Sequence, residues 1–289
     1  MTGYSFVMMF IRKIAFTYLK TSLQLTSVFS PQKAAQRALT LFCTPRRDFR
    51  RPAPSAIITQ AEPLSCRINH LIIRGYRWNH PSPKKILIAH GFESAARNFE
   101  GYVQPLMKMG YEIVAFDAPG HDRSEGSEIH LPLYVQSLQH IVNQYGPFHA
   151  YLGHSLGGLA VTHLAEILPQ DLTSKIVLIA PATETTTAIN RFFSLLRLNE
   201  KVKAEFERLA KERNGVAPEF YSVRRAVTHI QSQILWLHDI LDDVTPYSDA
   251  EKVKNDQLPH IQFVISSGLG HSRIYRNQQT IEHVVQFLR

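Results

Sequence analysis

The stretch Gly153-His154-Ser155-Leu156-Gly157-Gly158 sets a serine between two glycines, each two residues away. A short β-like run, His149-Ala150-Tyr151-Leu152, precedes it, and a helix-like run from Leu159 to Leu168 follows. A serine on so sharp a strand-to-helix turn sits in a strained backbone, so the residues around it must be small, and Gly153 and Gly157 meet that need. The start of the following helix offers unbonded amide hydrogens to a developing oxyanion. The chemistry that suits this arrangement is nucleophilic attack on an acyl carbon. A glycine bend with an incidental serine is the competing reading, and the rest of the chain decides between the two.

A serine nucleophile needs a base to take its proton, and the base needs an orienting acid. Two downstream loops supply candidates. After the β-like run Ile234–Leu237 comes His238-Asp239-Ile240-Leu241-Asp242-Asp243-Val244-Thr245-Pro246. After Ile261–Ile265 comes Ser266-Ser267-Gly268-Leu269-Gly270-His271-Ser272-Arg273. The order serine, aspartate, histidine is present, each member on its own post-strand loop, where a doubly wound sheet carries its reactive groups. Asp239, Asp242 and Asp243 are all open as the acid at this level. His154, beside the serine, reads as a residue that shapes the turn, and His163 as a packed or surface residue of the helix. His121, His149, His238 and His260 have no metal-ligand spacing, and the chain contains no His-Glu-x-x-His pattern. A zinc hydrolase is therefore disfavoured, and neither metal nor cofactor is expected.

The elements that must hold these groups alternate along the chain. Ala56–Thr59 and Ile68–Trp78 read as an antiparallel β pair. Lys85–Ala89 is a continuous apolar run of the kind covered on both faces of a sheet. Helix-like and strand-like runs then alternate: a helix over Phe99–Met109, a strand over Glu112–Phe116, a helix over Leu133–Tyr145, and strands over Ala150–Leu152 and Lys175–Ala180. Short connections between such runs imply right-handed crossovers. The fold class is α/β, with a mainly parallel doubly wound sheet and helices on both faces. Residues ~184–228 break the rhythm with helical runs, Val202–Glu212 and Pro218–Thr228 among them, and predict a short cap inserted after a central strand. Its Phe192, Phe193, Leu195, Leu196 and Phe206 either line an acyl pocket or pack the cap.

Taken together, these segments resemble the α/β-hydrolase fold superfamily over residues ~55–289. Ala89-His90-Gly91-Phe92 resembles its His-Gly oxyanion turn, and Phe116-Asp117-Ala118-Pro119-Gly120-His121-Asp122-Arg123-Ser124 its Asp-x-x-Gly-His-Gly-x-Ser loop. The likeness is greatest to bacterial serine hydrolases of the monoacylglycerol-lipase or esterase kind. It implies Ser155 as nucleophile, His271 as base and Asp242, four residues before Pro246, as acid. The backbone N–H groups of Phe92 and Leu156 would then form the oxyanion hole, and His90 would be structural. One departure stands out: Asp122 occupies a position where the family usually has glycine, and a glycine there permits positive φ, which Asp tolerates better than most residues. The expected activity is hydrolysis of a carboxylic ester or thioester on a small-molecule acyl substrate. Acyl transfer or small-amide hydrolysis on the same triad, or non-catalytic ligand binding, are the alternatives.

Composition adds a boundary. With 44% hydrophobic and 19% charged residues, the chain can bury a sizeable core. The net charge of +8 is local: residues 1–52 hold nine Lys and Arg against one acid, Asp48, and the remainder balances. Nucleic-acid binding is therefore not expected from the basic pI. Residues 1–54 read as a basic helical arm and 55–289 as the hydrolase domain. The arm's apolar run Phe6–Ile11 precedes Arg12-Lys13, the reverse of a secretory signal, and neither it nor Ile14–Leu19 reaches the ~18 residues of a membrane span. Two cysteines, Cys43 and Cys66, do not make a disulfide framework. The expected location is cytoplasmic. The arm reads as a helix packed on the body with solvated basic residues, a weak peripheral contact with the inner membrane face being the alternative.

Overall fold

A computed structural model describes residues 3–46, 53–169 and 172–289, so residues 1–2 and 47–52 of the expected arm, 1–54, lie outside the described residues. In chain order come α1 (Gly3–Phe29), α2 (Pro31–Cys43), α3 (Ala56–Thr59), β1 (Glu62–Ile68), β2 (Leu71–Trp78), β3 (Lys84–Ala89), α4 (Glu100–Lys108) and β4 (Tyr111–Phe116). Next are α5 (Leu131–Tyr145), β5 (Ala150–His154), α6 (Leu156–Ile167), β6 (Lys175–Ile179), α7 (Thr185–Leu196) and α8 (Glu200–Asn214). The chain finishes with α9 (Val223–Val227), β7 (Gln233–Asp239), α10 (Tyr247–Asn255), β8 (Ile261–Ser266), α11 (Gly270–Ile274) and α12 (Gln278–Leu288).

The strands form one eight-stranded sheet in the order β1-β2-β4-β3-β5-β6-β7-β8. β2 runs antiparallel to both β1 and β4, and every pairing from β4 across to β8 is parallel. The central strands are apolar on successive residues because helices cover both faces. Ile86, Ile88, Ile113, Leu152, Val177 and Leu235 are buried in a core that also takes Phe99, Tyr102 and Leu106 from the α4 region and Ile281, Val284 and Leu288 from α12.

The N-terminal β pair differs from the expectation. Ala56–Thr59 is a helical turn, not a strand: the Ser55 hydroxyl caps the Ile58 amide at 3.4 Å, and Thr59 and Gln60 bond back to Ser55 and Ala56. The partner of Leu71–Trp78 is instead Glu62–Ile68, which buries Leu64, Cys66 and Ile68 on alternate positions. Ile68 pairs with Leu71, so Asn69-His70 is a two-residue turn, with Asn69 at φ 54°. The run Ile68–Trp78 therefore contains the turn, and asparagine closes it because it tolerates the left-handed region.

By contacts the chain groups into two compact units, Met1–Cys43 with Thr185–Phe220, and Thr44–Glu184 with Tyr221–Arg289. The larger unit holds the whole sheet. The insertion starts and ends there on an antiparallel bridge between Glu184 and Ser222, reinforced by the Ser222 hydroxyl on Glu184 at 2.8 Å and by the Val223 amide on the Thr183 carbonyl at 2.8 Å. That bridge splits the helix expected over Pro218–Thr228. Only Val223–Val227 remains α-helical, capped by Ser222, and it packs on α6. In the smaller unit, Asn199 caps α8 at the Val202 amide (3.1 Å) and Gly215 ends it at φ 78°. Ala34, Ala35 and Ala38 of α2 pack there against Ile189, Phe193, Val202 and Phe206. Phe193 and Phe206 thus lie in that unit's own core and Leu196 is buried, whereas Leu195 is exposed.

Candidate active site

Ser155 stands between β5 and α6 at φ 53°, ψ −121°, a conformation that costs a non-glycine residue on the order of 1–3 kcal/mol. What forces it is proximity. A β-carbon on Gly157 would come within 2.2 Å of the Ala89 carbonyl oxygen, and one on Gly153 within 2.6 Å of the Gly157 carbonyl oxygen. The elbow is thus pressed against the end of β3 by backbone alone. The Ser155 carbonyl accepts the Gly158 and Ala182 amides at 3.0 Å each. Leu156 is the first residue of α6, so its N–H has no acceptor within the helix.

The Ser155 hydroxyl lies 3.0 Å from His271 Nε2, and His271 Nδ1 lies 2.8 Å from Asp242 Oδ2. The carboxylate on one side puts the imidazole proton on Nδ1 and leaves Nε2 to accept from the serine. Asp242 sits after β7 in a turn it builds itself: its Oδ1 accepts the Val244 and Thr245 amides at 2.8 Å each. Burial pushes the Asp242 carboxyl up, but the hydrogen bond and charge of His271, with the two amides, outweigh it and hold the carboxyl below its ordinary value. Of the three aspartates in this loop, Asp242 is the one in contact with His271. Asp243 is exposed. Asp239 is buried and ties the two loops together, accepting from the Ser266 hydroxyl at 2.7 Å and the amides of Leu241 and Leu269 at 3.0 Å.

Phe92 lies on the turn after β3, which the next loop grips from below. Asp117 Oδ1 accepts the Ala96 amide at 2.8 Å, His121 Nε2 the Glu93 amide at 3.1 Å, and His90 Nε2 the Ala118 amide at 2.9 Å. The Tyr134 hydroxyl donates to the His90 carbonyl at 2.9 Å. Burial raises the Asp117 carboxyl to about 7 and lowers the His90 imidazole to about 3. Asp122 takes the left-handed region at φ 33°, the backbone that the glycine it replaces would have permitted. Gly91 brings this turn onto the elbow: a β-carbon there would lie 2.9 Å from that of Ser155.

One residue at the centre, Thr245, was not singled out by sequence. The Thr245 hydroxyl donates to Asp242 Oδ2 at 2.9 Å and lies 3.1 Å from His271 Nδ1. Its place three residues beyond an aspartate is the spacing of a side-chain-capped turn, a signal that was present. His154 does more than shape the turn. Its Nε2 donates to the His271 carbonyl at 3.1 Å, and its ring lies tilted against those of His271 and Tyr275, with centroids 4.7 and 4.3 Å away. Among the described residues no group of three or more His, Cys, Asp or Glu could hold a metal ion.

A model of the family described as serine aminopeptidase, S33 matches residues 80–233, just over half of the chain. The match includes Phe92, Ser155 and Leu156 and ends before Asp242. Lysophosphatidylserine lipase ABHD12 of Danio rerio is 26% identical over 245 residues, covering 75% of this chain and 60% of that protein. The uncharacterized hydrolase YugF of Bacillus subtilis is 28% identical over 109 residues, 35% of this chain and 38% of YugF. The chain thus spans about 60% and 38% of the lengths of these two relatives. Among solved structures, the Pyrococcus furiosus esterase Pf2001 superposes with a TM-score of 0.64 at 16% identity, over 85% of this chain and 97% of the esterase, a likeness of fold. With the sheet order and the family match in agreement, the chain belongs to the serine aminopeptidase S33 family of the α/β-hydrolase superfamily.

Proposed function

We propose that this protein is a serine hydrolase that cleaves a carboxylic ester or thioester through an acyl-enzyme on Ser155. The observation that carries the reading is the continuous relay from the Ser155 hydroxyl through His271 to Asp242, at 3.0 and 2.8 Å. In this mechanism His271 Nε2 takes the serine proton as Oγ attacks the acyl carbon. The amides of Phe92 and Leu156 receive the oxyanion, and His271 then gives the proton to the departing alcohol or thiol. Water, deprotonated by the same nitrogen, attacks the acyl-enzyme, and His271 returns that proton to Ser155 Oγ as the acid leaves. Asp242 supports the imidazolium that forms at each step.

An aminopeptidase would need a carboxylate available for the substrate's ammonium. Of the acids on the site's loops, Glu93 and Asp239 are engaged, and Asp243 is exposed. Both oxygens of Glu93, next to Phe92, are held by Arg46 at 2.7 Å, and Asp239 is bound as described above. We place an ester ahead of a peptide, and the name of the zebrafish relative puts lysophospholipids on the panel to try.

The test is covalent labelling with a fluorophosphonate, run beside a panel of esters of increasing acyl length that includes lysophosphatidylserine, an acyl thioester and an aminoacyl anilide. Wild type should be labelled and turn over esters, and Ser155→Ala should do neither. Labelling that survives Ser155→Ala would reject the assigned nucleophile, and an unlabelled wild type would reject the catalytic reading. Adding an alcohol acceptor separates hydrolysis from acyl transfer by the product formed.

A further inference from the structure

Residues 1–47 contain no Asp or Glu. In the unit that α1 and α2 form with α7 and α8, twelve Lys and Arg stand against five Glu, a net +7 that is nearly the whole chain's charge. On the last three turns of α1 the inward side carries Leu23 and Ser27, both buried. Its outward side shows Tyr18, Leu25, Val28 and Phe29 at 76, 59, 76 and 87% exposure. Residues 18, 25 and 29 fall on one narrow arc, because seven and eleven residues are close to two and three helical turns. Single exposed apolar residues are ordinary, but a row of large ones along one helix face is a binding surface. Cations border it. Arg37 of α2 reaches Thr26 Oγ1 at 2.7 Å and Ser22 Oγ at 3.0 Å on the flank of the row, and Lys33 is exposed on the same helix.

We propose that α1 seats this row in the headgroup region of an anionic phospholipid bilayer, with Lys33 and Arg37 set towards the lipid phosphates. Charge selects the occupant. A second copy of the chain would bring another +7 surface against the first, whereas anionic lipid neutralises it. Among the described residues no helix is long and apolar enough to cross a membrane. The inference goes beyond the hydrolase reading and does not rest on it.

The experiment is flotation of the full chain with vesicles of phosphatidylcholine alone and with phosphatidylserine added, at low and high salt. Binding to the anionic vesicles should be at least roughly tenfold stronger than to the neutral ones and should be released by salt. The double substitution Leu25→Asp with Phe29→Asp, at exposed positions, should lose roughly tenfold, with circular dichroism and thermal melting confirming an intact fold. Lys33→Glu is a second, milder variant that should weaken binding without touching the apolar row. Absence of wild-type binding, or equal binding by the variants, overturns the proposal. So does a dimer in sedimentation that the double variant dissociates while no vesicle is bound.

Discussion

The buried ring of His154 is held neutral by its surroundings. Burial, together with the nearby charge of His271, lowers its pKa from 6.5 to about 3. Its Nδ1 meets no hydrogen-bond partner, so the proton sits on Nε2, where it binds the carbonyl of the catalytic-base candidate. His154 is thus a positioning residue for α11. His154→Ala should lower kcat roughly tenfold with little change in KM, whereas His154→Gln, whose amide can reach the same carbonyl, should restore most of it. The ring also carries a pH signature. A histidine neutral in the fold and protonated when unfolded supplies stability that is complete above pH 6.5 and is lost as pH falls towards 3. Acid titration of the thermal midpoint should therefore show a shallower loss across that window for His154→Gln than for wild type. At Asp242 the expectation is sharper. Asp242→Asn should cost kcat about 10³–10⁴-fold by disturbing the imidazole tautomer, and Asp243→Asn should leave it near wild type. Ser155 and His271 could be picked out in the sequence as candidate nucleophile and base because each sits in a contiguous loop with its own glycine signals. The division of labour between Asp239 and Asp242 was legible only through family likeness. Three residues along one loop turn a carboxylate from the base to the neighbouring strand's loop, and no spacing rule records that direction.

The elements divide by how local their causes are. β3 to β6 were readable as apolar runs because burial on both faces leaves a compositional mark. Ala56–Thr59 was misread because four β-branched or small residues fit either state, and what decides is a cap from Ser55. The Asn69-His70 turn was hidden inside an apolar stretch whose alternation continues on both sides of it. At the elbow the opposite holds: its glycines are demanded by backbone approach, so the motif is visible. Gly157→Ala should therefore destabilise the larger unit by at least about 2 kcal/mol, since the added methyl meets the carbonyl oxygens of Ala89 and His90 and not a movable side chain. Urea denaturation compares it with Gly215→Ala. There the methyl would meet no atom within 4 Å, and the cost is only the positive φ of 78°. A loss at Gly157 no greater than at Gly215 would mean the elbow yields more easily than its contacts imply.

For the whole molecule, the sequence separated a basic arm from a neutral body, but it could not show that the arm's second helix and the inserted helices share a core. Residues 34–42 and 189–209 meet only through tertiary packing, and alanines carry no periodic signal strong enough to announce a partner. Ala34, Ala35 and Ala38 are fully buried, and their small size lets α2 approach α8 closely. Phe42 then sets its ring edge-on to Phe192 and Phe206 at 5.2 and 5.6 Å. Deleting residues 1–43 would therefore uncover parts of Ile189, Phe193, Val202 and Phe206. At roughly 1.5–3 kcal/mol for each large side chain fully returned to water, even partial exposure is a large fraction of the ~5–15 kcal/mol that holds a domain folded. The truncated chain should bind the dye ANS and aggregate on warming below the wild-type melting temperature. Ala38→Leu, which overfills the same contact without removing any charge, should lower the melting temperature while leaving vesicle binding intact in the cold. That pair of measurements separates the arm's part in folding from its part on a membrane. Truncation alone would confound them, because it removes the basic surface and the core together.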